Sequence, residues 1–265
     1  MHVLISPDKF KGSLSASQVC EALEKGIQKR RPKTIFTKMP LADGGEGTLE
    51  VIQQLHGGTW VTVDTFDPLM RPIQADYLYL ADQKTAYIEM ARASGLALLK
   101  AKERNPLKTS TFGTGCLIAD ALARGATQII LTIGGSATND AGIGMAAALG
   151  WKFLDANGLA LSPIGENLIQ IASISSVELA PCAFTVVTDV ANPLAGPTGA
   201  AHVFAAQKGA SATTIKQLDK GLNNIASFFG SLASEAGAGA AGGLGAGALY
   251  FLKACLLYTS DAADE

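Results

Sequence analysis

The sequence predicts an α/β protein, and three observations carry that prediction. Strand-like and helix-like hydrophobic patterns alternate along the chain. The run from Gln128 to Ile133 is apolar and β-branched without alternation, as expected for a parallel strand that is covered on both faces. The 265 residues are 48% hydrophobic and 17% charged, which is typical of a soluble chain that buries one large core or two modest ones.

The first part of the chain predicts two strands that alternate with two helices. Ser15 and Gln18 have the spacing of a capping box, which marks the start of the first helix. Helical spacing places three apolar residues of this helix on its inner face, namely Val19, Leu23 and Ile27. The predicted elements are a strand over Val3–Ser6, the helix to about Arg30, a strand over Thr34–Lys38 and a helix over Thr48–His56.

The middle of the chain predicts an antiparallel unit. Three segments have strand composition, and the turn sequence DPLMRP joins the first two. These segments are Thr59–Thr65, Ile73–Leu80 and Thr85–Met90.

The remaining chain returns to alternating elements. Gly125 ends a helix over Thr114–Arg124, and the strand Gln128–Ile133 follows it. Asn157–Gly158 predicts a hairpin turn, and Phe184–Asp189 predicts a further buried strand. Apolar residues at three-four spacing predict an amphipathic helix over Thr213–Ser234, with these residues in the core: Ile215, Leu218, Leu222, Ile225, Phe229 and Leu232.

A glycine turn after the strand Gln128–Ile133 predicts a site for an anionic, phosphorylated ligand. Gly134 and Gly135 allow a ligand to approach the backbone, and the helix that follows offers free N–H groups. Ser136, Thr138 and Asn139 add neutral hydrogen-bonding groups. Asp140 either caps the helix or holds a metal ion, and a tight turn with an ordinary cap is the structural alternative for the whole segment.

Three further polar loops follow predicted strands, where α/β proteins place their chemistry. Asp8, Lys9 and Lys11 come after the first strand and suit an acidic substrate or a phosphate, with a solvated loop as the alternative. The other two loops carry Asp43 with Glu46, and Asp189 with Asn192. Their carboxylates suit Mg²⁺ or proton transfer, although turns and helix caps use the same residues.

Composition and missing motifs exclude several classes of protein. The net charge of −2 gives no nucleic-acid footprint. The four cysteines are widely spaced and suggest neither a disulfide framework nor a zinc site. No signal peptide is apparent, so we expect a cytoplasmic protein without a membrane span. P-loop and protein-kinase motifs are absent, and the G-x-G-x-x-G pattern at 237–242 follows a helix rather than a strand. Glycine, hydroxyl, amide and carboxylate groups with few histidines favour phosphoryl transfer.

Seven segments, in this order, resemble those of the bacterial type I (2-phosphoglycerate-forming) glycerate kinase family. They are SPDKFKGSLSA, ADGGEGT, IEMARASGL, TSTFGTG, GGSATNDAGIGMAAALG, DVANPLAGPTGAAHVFAAQKGA and GAAGGLGAG. The resemblance implies phosphorylation of D-glycerate by ATP with Mg²⁺, with 3-phosphoglycerate as the alternative product. It also implies two α/β domains with the active site between them. One domain is Rossmann- or flavodoxin-like with a mainly parallel sheet and begins with residues 1–65, and the other has a mixed sheet over 66–253.

The resemblance also suggests roles for the polar residues. Lys9, Asp43 and Asp189 are the expected catalytic residues, with Asp189 orienting the substrate hydroxyl. Asp43 and Glu46 are expected near Mg²⁺. The residues expected to bind the substrate are Asp8, Lys11, Arg71 and Asn192. Those expected to cradle phosphates are Gly134, Gly135, Ser136, Thr138 and Asn139.

The family sequence extends beyond the point where this chain ends. We expect the C-terminal part of the fold, which returns to complete the first domain, to be absent. We also expect residues 254–265 to be a non-native tail, because CLLYTSDAADE resembles translated adapter sequence. On this interpretation the chain is poorly stable and weakly active. A non-catalytic fragment that binds nucleotide or another anion is the alternative.

Overall fold

The computed structural model describes residues 1–10, 13–175 and 177–258. Its strands are β1 (His2–Ile5), β2 (Ile35–Lys38), β3 (Thr59–Phe66), β4 (Pro72–Leu80), β5 (Thr85–Glu89), β6 (Gln128–Thr132), β7 (Phe153–Leu154), β8 (Ser173–Ile174), β9 (Ala183–Thr188) and β10 (Cys255–Tyr258). Its α-helices are α1 (Ala16–Arg30), α2 (Thr48–His56), α3 (Ala91–Ser94), α4 (Phe112–Ala123), α5 (Ile143–Ala148), α6 (Ala200–Phe204), α7 (Ala212–Phe229) and α8 (Ala240–Phe251).

The architecture is mixed α/β around a six-stranded sheet, which confirms the predicted fold class. The strand order is β10-β9-β6-β5-β4-β3. The first four strands in that order are mutually parallel, and β4 and β3 are antiparallel, as the middle segments predicted. In the centre, β6 buries Ile129 and Leu131 on one face and partly buries Ile130 on the other, which explains why its sequence is apolar without alternation. A separate parallel pair, β1 and β2, lies next to α1, whereas α2 packs against β4 and β5 of the large sheet.

Helix α7 follows its predicted apolar stripe. Leu218, Leu222, Ile225 and Phe229 are buried, and Ile215 and Leu232 pack at the edge of the same core. The α-helix ends at Phe229, and a 3₁₀ turn over Gly230–Ser234 completes the predicted segment.

The prediction for α1 is only partly right. Its capping box forms as the sequence predicts, with Ser15 accepting from the Gln18 N–H. Val19 is buried, but Leu23 is 45% exposed. The buried residues of α1 all lie in its first two turns, because the two-stranded sheet beneath the helix covers no more of it. Cys20 marks this contact, since its thiol lies 3.7 Å from the Ile5 carbonyl oxygen.

Strand pairing relates the predicted segments to the two sheets. Strand β3 lies in the predicted first segment, 1–65, and pairs with β4 of the large sheet along all eight of its residues. We call residues 1–58, which precede β3, the N-terminal unit, and the chain from β3 onward the second unit. Residues Cys255–Tyr258, which the sequence assigned to a tail, form the edge strand β10 beside β9. The rest of that tail lies outside the described residues.

The predicted hairpin is also modified. The turn at Asn157–Gly158 is present, with Gly158 at φ 79° and Asp155 Oδ1 accepting from two backbone N–H groups. Beyond the turn, Leu154 forms a single bridge to Ala160. The main partner of β7 is β8, because Phe153 and Leu154 pair there over two residues. No helix in the described parts of the chain is long and apolar enough to cross a membrane.

The contrast between Leu222 and Leu23 gives a test of the fold. We expect Leu222→Ala to lower the free energy of unfolding by about 2–5 kcal/mol, because it opens a cavity in the core. Leu23→Ala, on a half-exposed helix face, is expected to cost less than about 1 kcal/mol. Urea denaturation measures both values, and equal losses would show that the face of α1 carrying Leu23 is buried.

Candidate functional site

A cavity of about 870 Å³ lies between the N-terminal unit and the large sheet. It is bordered by the loops that follow β1, β2, β6 and β9, so the carboxyl ends of these parallel strands face one space. The lining residues from these four loops include Asp8, Lys9, Asp43, Gly44, Gly45, Glu46, Gly134, Gly135, Ser136 and Asp189. The structure thus brings together most of the polar residues that the sequence singled out.

Lys9 and Asp43 form an ion pair on the N-terminal side of the cavity. Lys9 Nζ lies 2.7 Å from Asp43 Oδ1 and 3.8 Å from Asp8 Oδ1, and the Gly45 N–H also donates to Asp43 Oδ1. Burial alone would raise the pKa of Asp43, but the Lys9 ammonium and the Gly45 N–H hold it below its ordinary value. Asp43 is therefore ionised and offsets the charge of Lys9. Lys11 lies outside the described residues.

The N-terminal unit contacts the turn after β6 through the backbone of Gly44 and Gly45, which packs against Gly134. A Cβ atom on Gly134 would lie 2.8 Å from Gly45 Cα and 3.1 Å from the Gly44 carbonyl oxygen. No side chain fits at this distance, so the two loops touch because both lack one. This contact brings the Glu46 side chain near Gly135, where an added Cβ would lie 4.0 Å from Glu46 Cγ.

Only the first half of the predicted phosphate loop faces the cavity. Gly134, Gly135 and Ser136 line it, whereas Thr138 and Asn139 are fully buried and do not. The chain turns inward because the Ala137 N–H donates to the Ser94 carbonyl. Behind it, Gly242 packs so closely that an added Cβ would lie 2.1 Å from the Thr138 carbonyl oxygen. Within the described residues, the Asn139 amide has no hydrogen-bond partner.

Asp140 serves the turn itself, which decides between the two roles that the sequence left open. Its fully buried carboxylate accepts from the backbone N–H and the hydroxyl of Thr111, at 2.7 and 2.8 Å, and from the N–H groups of Gly142 and Gly144. Burial raises the pKa of Asp140 against these hydrogen bonds. With four donors on its two oxygens, Asp140 holds the start of α5 and is not placed as a metal ligand.

Sequence reasoning missed Lys208, the most deeply buried cation that lines the cavity. It ends a short 3₁₀ turn over Ala206–Lys208, is 2% exposed, and donates from Nζ to Ser136 Oγ and the Thr138 carbonyl, both at 2.7 Å. Burial lowers the pKa of Lys208 to about 7, and the Asp140 carboxylate partly opposes this shift. The one signal in the sequence was a lysine between small and apolar residues, in HVFAAQKGA.

Arg104 is a second cation that sequence reasoning missed. It lines the cavity just after the 3₁₀ turn Ala101–Glu103. Its Nε is buried and lacks a hydrogen-bond partner in the described chain. No carboxylate of the described residues forms an ion pair with it, whereas Arg71, Arg92 and Arg124 each have one.

The other predicted site residues divide between the cavity and the surface. Asp189 lies exposed at the end of β9 and lines the cavity, as does Glu46. Asn192 does not line it, because its amide donates to the Thr198 carbonyl and closes a local turn. Arg71 is also placed elsewhere, where its half-exposed guanidinium pairs with Asp67 and Glu103.

The carboxylates that line the cavity suit a shared Mg²⁺ ion better than a closed metal site. Asp43, Glu46 and Asp189 offer the oxygen donors that Mg²⁺ prefers. Among the described residues, however, no three His, Cys, Asp or Glu side chains cluster closely enough to hold a metal by themselves. Mg²⁺ typically takes one or two protein carboxylates and completes its shell with water and phosphate oxygens.

The fold and the cavity define an α/β enzyme whose site is built from loops at the carboxyl ends of parallel strands. The sequence profile of the Glycerate kinase family matches residues 3–263. The chain is 45% identical over 264 residues to "Glycerate kinase" of Halalkalibacterium halodurans, covering 96% of this chain and 70% of that protein. It is also 45% identical over 267 residues to "Glycerate 2-kinase" of Escherichia coli, covering 96% and 69%.

A solved structure agrees with these matches. The crystal structure assigned as glycerate kinase 2 from Salmonella typhimurium LT2 superposes with a TM-score of 0.86 at 42% identity, covering 97% of this chain and 71% of that one. The chain therefore belongs to the glycerate kinase family, and it is an enzyme of the phosphotransferase class.

The close approach of the two glycine loops predicts a strong effect of one methyl group. We expect Gly134→Ala to lower the free energy of unfolding by about 1–3 kcal/mol, because its Cβ forces the loops apart. Gly26→Ala in α1 is the matched control, since a Cβ there meets nothing within 4 Å and favours the helix by up to about 1 kcal/mol. Chemical denaturation compares the two. A Gly134→Ala protein as stable as the wild type would contradict the packing described above.

The buried Lys208 predicts how stability depends on pH. Its pKa is about 7 in the folded protein and 10.5 as the ordinary value, so between these values the unfolded chain binds the additional proton. Stability therefore rises as pH increases from about 7 to 10.5, by at most about 1.4 kcal/mol per pH unit from this group. We expect Lys208→Met to remove that increment, as measured by urea denaturation at pH 7, 8 and 9. An unchanged slope would show that Lys208 titrates normally.

Proposed function

We propose that this protein transfers the γ-phosphoryl group of ATP to D-glycerate, with Mg²⁺ as cofactor and 2-phosphoglycerate as product. The observation that carries the proposal is the convergence of the Gly134–Ser136 turn and the Asp43, Glu46 and Asp189 carboxylates on one cavity in a member of the glycerate kinase family. The name "Glycerate 2-kinase" of the relative from Escherichia coli supports the 2-hydroxyl as acceptor.

The backbone turn after β6 is suited to the phosphates. Gly134 and Gly135 present backbone at the cavity, Gly135 in the left-handed region at φ 75°, and Ser136 adds a hydroxyl. Backbone N–H groups in such turns bind phosphate oxygens without a side chain in the way. In phosphoryl transfer the protein mainly positions the reactants and stabilises charge, which is what this turn provides.

The charges around the cavity support a role for Mg²⁺. Five carboxylates of the described residues line it, against three cationic side chains, Lys9, Arg104 and Lys208. The carboxylates exceed the cations by two even when Lys208 is protonated, which disfavours a polyphosphate that enters alone. A bound Mg²⁺ would neutralise phosphate oxygens and polarise the transferred group. Asp43 and Glu46 are the residues proposed to hold it.

Asp189 is proposed to orient the acceptor hydroxyl and to take its proton. Its carboxylate stands at the open end of β9 and is exposed to the cavity. As the proton passes to Asp189, the hydroxyl oxygen forms a bond to the γ-phosphorus and the bond to the bridging oxygen of ADP breaks. Lys9, held by Asp43, is proposed to stabilise the negative charge on the moving phosphoryl group.

The cytoplasm is the proposed location. All four cysteines, Cys20, Cys116, Cys182 and Cys255, are free thiols, which fits a reducing compartment.

The role of Asp189 gives a direct test. We expect Asp189→Asn to lower turnover by about 10²- to 10⁴-fold, because an amide cannot accept the proton. The assay follows ADP release with ATP, Mg²⁺ and D-glycerate, and ³¹P NMR identifies the phosphorylated hydroxyl. Asp82→Asn, on an exposed turn away from the cavity, is the matched control and should keep full activity. Unchanged turnover in Asp189→Asn would remove the proposed role.

We further propose that the 265-residue chain by itself turns over slowly. Leu4 and Ile35, on the two-stranded sheet that carries Lys9 and Asp43, are 61% and 68% exposed, which leaves this wall of the cavity weakly supported. The comparison is with the same chain extended by the C-terminal part of a relative, in the same assay. ADP release by neither protein would overturn the proposed kinase function.

A further inference from the structure

Two cations on one wall of the cavity lack a carboxylate partner among the described residues. Lys208 donates only to neutral oxygens, those of Ser136 and Thr138. Arg104 has a buried Nε with no hydrogen bond to any described residue. Both side chains line the cavity.

The two cations are neighbours in the fold. Gly209, next to Lys208, lies against the backbone of Arg104, where an added Cβ would be 2.3 Å from the Arg104 carbonyl oxygen. Gly209 has φ +94°, so the chain turns tightly at this contact. This packing fixes the start of both side chains at one place on the wall.

Other cations around the cavity are already compensated. Lys9 pairs with Asp43, and Arg92 pairs with Glu89 and Glu50. Asp140 is the charged group that acts on Lys208, but four hydrogen bonds from Thr111, Gly142 and Gly144 occupy that carboxylate. A cation withdrawn from water without a counter-charge lowers stability, so this wall calls for an anion from outside the protein.

We propose that Arg104, Lys208 and the Ser136 hydroxyl form an oxyanion-binding subsite within the cavity. A guanidinium binds the paired oxygens of a carboxylate or a phosphate in a bidentate manner. Lys208 uses two of its three N–H groups on Ser136 and Thr138, so its third N–H and the Ser136 O–H add two further donors beside the guanidinium. This subsite rests on the proposed function, which supplies two oxyanions of this chemistry: the carboxylate of the hydroxy acid and a phosphate of the nucleotide. It gives Lys208 and Arg104 a role that the family comparison does not assign.

Binding of an oxyanion has a protonation signature. In the free protein, burial lowers the pKa of Lys208 to about 7, so at pH 8 most molecules carry the neutral amine. An anion next to Nζ favours the ammonium form and raises this pKa. Among the described residues, Asp140 is the charged group that acts on the pKa of Lys208, and it opposes the effect of burial. Binding at pH 8 should therefore take up a fraction of a proton.

The test is calorimetric titration at pH 8 in two buffers of different ionisation enthalpy, with two probes used separately. The probes are D-glycerate and the non-hydrolysable nucleotide AMP-PNP with Mg²⁺. We expect Arg104→Gln to weaken one probe by about 10- to 100-fold, the usual effect of losing hydrogen bonds to a charged group. We expect Lys208→Met to weaken the same probe and to abolish its proton uptake. If the variants lose affinity for D-glycerate, the subsite binds the carboxylate. If they lose affinity for the nucleotide, the subsite binds a phosphate.

Controls separate this proposal from misfolding and from failure of the kinase function. Lys102→Gln, an exposed lysine two residues before Arg104, should bind both probes as the wild type does. If Lys208→Met unfolds, the Arg104→Gln titrations and the proton uptake of the wild type remain as tests. Wild-type affinity of Arg104→Gln for both probes would overturn the subsite, even if ADP is released. A selective loss of binding would support it, even if no ADP is released.

Discussion

The buried carboxylate of Asp140 is the constraint on which the cavity depends. It is fully buried, and its oxygens accept four hydrogen bonds from Thr111, Gly142 and Gly144. The Thr111 hydroxyl in turn accepts from the Met145 N–H, so the starts of α4 and α5 are joined around one charge. A buried charge is stable only when its donors are all in place, which makes this turn rigid.

Rigidity at Asp140 has consequences for both sides of the loop. The inward half, with Thr138 and Asn139, is packed against Gly242 and is lost to ligands. The outward half, from Gly134 to Ser136, faces the cavity and receives the N-terminal unit at Gly45. A second set of polar contacts helps to hold that unit. Glu89 accepts from the Thr48 N–H at the start of α2, and Arg92 bridges Glu89 and Glu50.

The two units contribute different charges to the cavity. Four of its five carboxylates, those of Asp8, Asp43, Glu46 and Glu50, come from the N-terminal unit. The two cations without carboxylate partners, Arg104 and Lys208, come from the second unit, as does Asp189. A site that combines carboxylates with cations suits a reaction in which a divalent cation and anionic groups must meet. Lys9 also lies in the N-terminal unit, where Asp43 offsets its charge.

Much of the fold, and part of the site, followed from local sequence rules. Periodicity located α1, α2, α7 and the main strands within a few residues, and the order of polar loops brought Asp8, Lys9, Asp43, Glu46 and Asp189 to one cavity. These predictions succeeded because strand composition and helix capping depend on residues that are neighbours in the sequence. The loops that follow parallel strands then meet at one edge of a sheet, whatever their own sequence. The sequence could not foresee that Leu23 is exposed, because the width of the sheet beneath α1 decides that. Nor could it foresee that Arg71 and Asn192 contact Asp67, Glu103 and Thr198 away from the cavity, because those partners meet them only in the fold.

The sequence by itself determined the family, the alternation of strands and helices, and the glycine turn after β6. Only the tertiary structure decided which residues of that turn face the cavity, that Asp140 serves the backbone, and that Arg104 and Lys208 complete the wall. The physical reason is burial. The sequence around a lysine, an asparagine or an aspartate does not show whether its side chain lies in water or in the core. Its charge, pKa and free donors are fixed by residues 29 to 72 positions away, and those contacts exist only once the chain is folded.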